Sequence, residues 1–338
     1  MGRPSEDELI RTYFAPLAGE GAFGLGDDAA RISGKPGRDL VVTADMVIGG
    51  VHFFGADPPG AIARKALRVN LSDLAAKGAE PVGFLLTLGL PEDWSEPWLA
   101  GFALGLGDDA AAYNCPLLGG DTVKSRGATA ISITAFGAVS AGSMVMRAGV
   151  KPGDRIYVSG TIGDAALGLK IRKREAADAV WVESLSQDES AFLAGRYLLP
   201  QPRLGLHAAL RGHAHAAIDI SDGFAGDLAK LLALTGMTAE VAASNVPFSQ
   251  AAQSALRSWP AVVEALLTGG DDYEILCAVP PARCAAFEAE AAAAGVLIAP
   301  VAVAVPGDGP PVFWDESGKA LVFPQPSFQH FLEGDNAL

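Results

Sequence analysis

Apolar residues recur along the chain at two spacings, and their succession predicts the order of elements. In residues 5–18, SEDELIRTYFAPLA, Leu9, Ile10, Tyr13 and Phe14 share one helical face, and Ser5 and Glu8 stand at capping-box spacing. The apolar run DLVVTADMV, 39–47, predicts a buried strand. Residues 58–79 open with Pro58 and Pro59 and continue rich in Ala and Leu, as a helix does. A strand over 82–91 ends at Pro91, a helix follows over 95–113, and strands are expected over 116–122 and 129–139. Lys151-Pro152-Gly153-Asp154 then marks a turn. Beyond it come strand, glycine turn and helix over 155–169, helical sequence to 199, and a break at Pro200 and Pro202. A strand and turn over 216–223, a helix over 224–236 and a turn and strand over 265–279 follow. A helix over 281–294 and a strand over 296–305 lead into a tail, 306–338, rich in Pro, Gly and aromatics. This alternation predicts an α/β (α+β-type) protein of two domains, 1–145 and 146–338.

Length agrees, since 338 residues correspond to about two domains. Half the residues are hydrophobic, ample for a large core and incompatible with a disordered chain. The 25 Lys and Arg against 39 Asp and Glu give a net charge of −14, so no broad basic face is available and no nucleic-acid partner is expected. A chain this acidic needs help to hold an anionic ligand, and metal ions supply it. Cys115, Cys277 and Cys284 form neither a disulfide framework nor a zinc motif and read as small buried apolar residues. MGRPSEDELI has no basic segment leading into an apolar one, and the uncharged stretch Ala291 to Val305 is interrupted by Gly295 and Pro300. No membrane association is expected, and a cytoplasmic location is.

Six aspartates fall at turns, strand ends or small apolar surroundings: Asp28, Asp45, Asp73, Asp121, Asp219 and Asp222. Any one of them alone is an ordinary turn or cap residue. Together they outnumber the nearby Lys and Arg, and six oxygen donors among glycine turns suit Mg²⁺ and phosphate groups. There is no GxxxxGK[ST] and no HRD…DFG set, which removes the P-loop and protein-kinase patterns. Gly105-Leu-Gly107-Asp108-Asp109-Ala110 repeats the letters of Gly24 to Ala29 inside a helical run, where Asp108 and Asp109 are expected on a solvated face. His207, His213 and His215 lack accompanying cysteines, and exposed positions are expected for them.

GLGDDAA (24–30), VTADMVIGGVHF (42–53), KALRVNLSDLAAKGAEP (65–81), LLGGDT (117–122), RAGVKPGDRIYVSGTIGDAALGL (147–169), AIDISDGFAGDL (217–228) and TGGDDYEI (268–275) together resemble, in order and spacing, the thiamine-monophosphate kinase family. The resemblance runs from about residue 8 to about residue 330. It implies a two-domain fold like that of aminoimidazole-ribonucleotide synthetase, with mixed sheets and helices packed on one face. It further implies transfer of phosphate from ATP to thiamine monophosphate with several Mg²⁺ ions, giving thiamine diphosphate and ADP. The residues in the matching positions are, for metal, Asp28, Thr43, Asp45, Asp73, Asp121, Asp219 and Asp222. They are Gly120, Asp121, Arg147 and Ser221 for ATP, and His52, Asp271 and Phe328 for the thiamine substrate. Asp121, Arg147 and Asp222 are the expected catalytic residues. The resemblance gives the first domain ATP and Mg²⁺ binding and dimerisation, and the second completion of the nucleotide and substrate site. A homodimer is implied, with N-terminal sheets paired. Two positions depart from the family: Ala44, where Thr is usual, and Asp271, where Glu is often found. The alternatives are a superfamily relative acting on another acceptor and a non-catalytic sensor of thiamine phosphate or nucleotide. The branch that makes selenophosphate is disfavoured, because residues 1–26 hold no Cys or Lys.

Overall fold

The structure, a computed structural model, describes residues 5–27 and 29–328. The described chain divides into two compact units, one reaching Leu74 and including Ala79–Ser143, the other comprising Ala75–Gly78 and the residues from Met144 to Phe328.

In the first unit the order is α1 (Glu6–Leu9), β1 (Arg38–Ile48), α2 (Pro59–Ala76), β2 (Glu80–Leu90), α3 (Glu96–Ala112), β3 (Leu117–Lys124) and β4 (Ala130–Ser140). The predicted N-terminal helix is one α-helical turn continued by a wider turn, Ile10–Phe14, and a 3₁₀ turn, Ala15–Leu17. Its capping box forms, with Ser5 N donating to Glu8 Oε2 at 2.8 Å and Glu8 N to Ser5 Oγ at 3.4 Å. The sheet order is β1-β4-β2-β3, antiparallel except for the parallel β2–β3 pair. Strand β1 is two-faced: Val41 and Val47 are buried, whereas Leu40, Val42 and Met46 are about half exposed (49, 54 and 52%). Helix α2 covers the buried face with Ile62, Ala66, Leu67, Leu71 and Leu74, spaced at helical period.

Helix α3 lies close on α2, because a Cβ at Gly105 would meet the Gly60 backbone. The expectation of a solvated face holds for Asp108 and is corrected for Asp109. Arg68 donates from Nε to Asp109 Oδ2 at 2.5 Å and from Nη2 to Oδ1 at 2.9 Å, and the Asp109 side chain is 4% exposed. Asp108, half exposed, pairs with Arg64 at 2.5 Å. The repeated glycine and aspartate letters thus serve helix packing, which the one-dimensional pattern does not distinguish from a turn.

The second unit begins with β5 (Arg155–Ser159), α4 (Asp164–Lys173), α5 (Ala179–Val182), α6 (Gln187–Leu198), α7 (His207–His213), β6 (Ala216–Ile220) and α8 (Phe224–Ala233). It continues with β7 (Met237–Thr238), β8 (Glu240–Ala242), α9 (Gln250–Ser258), α10 (Val263–Thr268), β9 (Glu274–Val279) and α11 (Cys284–Ala293). Then come β10 (Ile298–Val303), β11 (Val305–Pro306), β12 (Val312–Trp314) and β13 (Ala320–Leu321). The single helical stretch expected to 199 is three helices, and α6 starts at a capping box of Ser186 and Glu189. The main sheet is antiparallel, in order β10-β5-β9-β6. Helices on one face describe the first sheet, whereas this one is covered on both faces. Ile156, Val158, Ile218, Ile220 and Leu276 pack with Phe224, Leu228 and Leu231 of α8. Tyr157, Ala217, Ile275 and Cys277 pack with Leu210 of α7 and Phe287 of α11. The histidines differ from expectation too: His213 lies 3.0 Å from Glu290 and His215 2.9 Å from buried Asp154, each partly buried. All three cysteines are buried and outside any disulfide, and burial pushes the Cys115 thiol up to about 12.

A buried ion pair broken on one side loses about 3–5 kcal/mol, while an exposed pair is worth under about 1 kcal/mol. Asp109→Asn should therefore lower stability to urea by about 3 kcal/mol or more, and Asp108→Asn by less than about 1 kcal/mol. Equal small losses in the two variants would contradict the different burial of the two aspartates.

Candidate active site

In the first unit the expected residues gather where β1 meets α2. Thr43 and Asp45 occupy alternate positions of β1 and so share its helix-covered face. Thr43 Oγ1 donates to Asp73 Oδ2 at 2.5 Å, and Asp45 N donates to Asn70 Oδ1 at 3.0 Å. Asp73 and Asn70 are three apart on α2, which puts them on one side of the helix. His52 lies half-buried in the turn after β1. Its Nδ1 accepts from Ile48 N at 3.1 Å, which assigns the proton of the neutral ring to Nε2. Buried Lys65 fixes the same turn by donating to the His52 carbonyl at 2.9 Å.

Gly120 and Asp121 are exposed on β3. A Cβ at Gly120 would run into the Leu86 carbonyl, so only glycine fits this strand approach. The ladder pairs Asp121 with Thr87, Thr87 with Ser132 and Ser132 with Met46, whereas Asp45 pairs with Ile133. Strand alternation therefore puts Asp121 on the sheet face of Met46, opposite that of Thr43 and Asp45. Asp28 lies outside the described residues.

In the second unit Asp219, Ser221, Asp222, Asp271 and Phe328 meet around the end of β6. Asp219 is buried, and Ser221 and Asp222 form the turn into α8. The Ser221 carbonyl accepts from Asp271 N at 2.8 Å, and the Asp222 carbonyl from Phe328 N at 2.9 Å. A Cβ on Gly270 would strike the Ser221 carbonyl, so the glycine permits this approach. Asp227 Oδ2 accepts from the amides of Ser221 at 3.1 Å and Asp222 at 3.0 Å, and Lys230 joins Asp222 (2.6 Å) to Asp227 (2.9 Å). Burial alone would lower the Lys230 ammonium, but hydrogen bonds to Asp222 and Asp227 outweigh it and hold its pKa up. Burial raises the Asp227 carboxyl, against the opposing pull of Lys230. Arg147 is exposed on the segment between β4 and β5.

Beneath this loop lies a second set of buried charges. Glu274, fully buried, accepts from Arg196 Nη2 at 2.8 Å, Arg203 Nε at 2.6 Å and Ser159 Oγ at 2.6 Å. Asp164 accepts from the hydroxyls of Thr161 and Ser249, both at 2.5 Å. Asp272 accepts from Gly163 N at 2.6 Å and Ala165 N at 3.3 Å. Burial raises the pKa of Asp164 despite the hydrogen bonds from Ser249 and Thr161, and raises that of Asp272 well above the ordinary carboxylate value despite the Gly163 amide. Among the described residues, no group of three or more His, Cys, Asp or Glu is placed to hold a metal ion.

Residues 26–139 match the family AIR synthase related protein, N-terminal domain, and residues 151–315 its C-terminal domain counterpart. The thiamine-monophosphate kinase of Caulobacter vibrioides is 43% identical over 311 residues, spanning 90% of this chain and 86% of that protein. The chain belongs to the thiamine-monophosphate kinase family. It is thus an enzyme of the kinase class. The crystal structure of the family's member from Stenotrophomonas maltophilia superposes with a TM-score of 0.76 at 36% identity, covering 88% of this chain and 91% of that one. AaThiL complexed with AMPPCP and TMP superposes with a TM-score of 0.75 at 28% identity, covering 98% and 99%.

The family's motifs had marked Thr43, Asp45, Asp73, Asp219, Asp222 and Asp271. They did not mark Asn70, which accepts from the Asp45 amide, Asp227 and Lys230, which bond the Ser221–Asp222 turn, or Asp272, which accepts from amides at the start of α4. Asp227 and Asp272 stand inside the quoted segments AIDISDGFAGDL and TGGDDYEI, so the letters were present without a role attached.

Because Asp164 and Asp272 titrate above the ordinary carboxylate value of 3.8, the folded state binds more protons than the unfolded state between the two values. The stability these groups contribute is full below the unfolded pKa and is lost as pH rises through the folded one. Asp164→Asn should therefore flatten the fall in urea midpoint above about pH 4. A fall as steep in the variant as in the wild type would contradict the buried-charge account.

Proposed function

We propose that the chain transfers the γ-phosphoryl group of ATP to thiamine monophosphate, giving thiamine diphosphate and ADP. Family membership at 43% identity carries this reading, and the related complex with AMPPCP and TMP supports both substrates. The acceptor is a phosphate monoester whose second pKa is about 6, so it is already anionic at neutral pH and needs no strong base. The barrier is the approach of two anions, and catalysis rests on position and charge neutralisation.

Several Mg²⁺ ions are the proposed cofactors. The donors fit the ion: Thr43, Asp45 and Asp73 offer a hydroxyl and two carboxylates on one face of β1 and α2, Asp219 offers a buried carboxylate near the end of β6, and Asp222 offers one at the turn that follows. The remaining proposed ligands are Asp28, which lies outside the described residues, and Asp121, which register puts on the other face of the first sheet from Thr43 and Asp45. Bound there, Mg²⁺ supplies the positive charge that offsets the phosphates. We assign Gly120, Asp121, Arg147 and Ser221 to ATP, with the exposed Arg147 guanidinium donating to phosphate oxygens. His52, Asp271 and Phe328 are assigned to the thiamine substrate, His52 through its Nε2 proton, Asp271 through its carboxylate and Phe328 through its ring. Asp121, Arg147 and Asp222 are the proposed catalytic residues, and transfer is direct and in line, with no phosphorylated side chain. The proposed division of labour gives the first unit ATP, Mg²⁺ and dimerisation, and the second the rest of the nucleotide and substrate contacts.

A homodimer through the uncovered face of the first sheet is part of this reading. Leu40, Val42 and Met46 on β1 and Val123 on β3 leave an apolar surface that a second copy would cover. No helix among the described residues is long and apolar enough to cross a membrane. A cytoplasmic location is proposed from the use of ATP and the three free thiols.

Chromatography of the purified chain incubated with ATP, Mg²⁺ and thiamine monophosphate should show thiamine diphosphate, and chelation by EDTA should abolish it. Asp73→Asn and Asp222→Asn should each lower kcat by about a hundredfold or more. ATP consumption without thiamine diphosphate would overturn the acceptor. Unchanged turnover in EDTA would overturn the metal set.

A further inference from the structure

The loop between α10 and β9 carries a backbone pattern that the proposed reaction does not explain. Asp271 and Tyr273 both adopt left-handed backbone, at φ 72° and 51°. Residues other than glycine seldom do so, and persist there where their surroundings leave no alternative. Between them Asp272 is 1% exposed, too deep to touch a substrate.

The contacts of these three residues alternate in direction. The amides of Asp271 and Tyr273 bond the carbonyls of Ser221 and Ile220, both at 2.8 Å. The side chain of Asp272 turns the other way, into the start of α4, where Gly163 N and Ala165 N donate to its two oxygens. Its carbonyl accepts from Arg196 Nη2 at 3.4 Å, and the same nitrogen bonds Glu274. The backbone amides on either side of Asp272 are therefore held by the end of β6, while its side chain and carbonyl are held from the other direction by α4 and α6, and the left-handed backbone at Asp271 and Tyr273 accompanies that opposed grip.

We propose that Asp272 is a positioning residue for substrate binding: its carboxylate, gripped by the first turn of α4, sets the left-handed backbone that presents Asp271 to the thiamine portion of the substrate. The proposal rests on the reading that Asp271 contacts that substrate. A carboxylate is required because both bonds come from N–H donors, and an amide in its place turns one donor toward another. Asp272 also ties this presentation to the Ser221–Asp222 turn, through the amide of Asp271.

The test measures kcat and both KM values for the full chain as wild type, Asp271→Ala, Asp272→Asn and the double variant. Asp272→Asn should raise KM for thiamine monophosphate about tenfold while KM for ATP stays within about twofold, matching Asp271→Ala. The double variant should exceed the larger single effect by less than about twofold, because both changes remove one contact. A lowered melting temperature with KM for thiamine monophosphate unchanged in Asp272→Asn, alongside a raised one in Asp271→Ala, overturns the proposal and leaves the assignment of Asp271 standing. An unchanged KM in Asp271→Ala removes that assignment and the proposal with it, and absence of thiamine diphosphate from the wild type removes the reaction itself. Amide exchange in the wild-type protein reads the grip without any substitution. The amides of Asp271 and Tyr273 should be protected as strongly as those of Gly163 and Ala165, and exchange as fast as in exposed turns overturns the proposal.

Discussion

An ionised carboxylate taken out of water costs several kcal/mol unless donors replace its hydration. In the second unit Asp164, Asp272 and Glu274 are all almost fully buried within a few residues of the candidate site. Each is met by a different class of donor: Asp164 by two hydroxyls, Asp272 by two backbone amides, Glu274 by two arginines and a hydroxyl. Those donors come from the ends of β5, α4, α6 and α9, and the local geometry of each is constrained by the charge it satisfies. The glycines follow from the same arrangement: Gly160 and Gly163 lie where a Cβ would strike Arg203 and Glu274 or the backbone of Leu266. A site with many aspartates is thus carried on a base whose own acids are consumed internally.

In the first unit the organising element is α2. Its apolar positions cover the sheet, and its polar ones take up four separate duties. Lys65 holds the turn of His52, Arg68 pairs with Asp109 of α3, Asn70 binds the Asp45 amide, and Asp73 accepts from Thr43. A helix that packs on one face of a two-faced strand leaves the other face bare, and on β1 that face is apolar. Asp121 stands on the bare side by register, so the aspartates of the first unit are divided by the thickness of a sheet.

Much of the architecture was legible because local rules agreed with the fold. The Ser5–Glu8 box, the ending of β2 before Pro91 and the run of α3 from its Ser95 cap all follow from short-range chemistry. The letters failed where distant residues decide the meaning of a local segment. Asp109 reads as solvated because helical spacing says nothing of Arg68, which lies more than forty positions away. His213 and His215 read as exposed for the same reason, since Glu290 and Asp154 are brought to them by folding.

The sequence by itself determined the succession of elements, the acidic balance and the residue types of the candidate site, because propensity, capping and motif spacing are properties of neighbours along the chain. Only the tertiary structure decided which acids are spent on buried pairs, which face of the sheet each aspartate occupies, and which residues hold Asp222 and Asp271. Register sets the face, and a one-residue slip would exchange the two. Burial sets the cost of a charge, and burial depends on elements that meet only when the chain is folded.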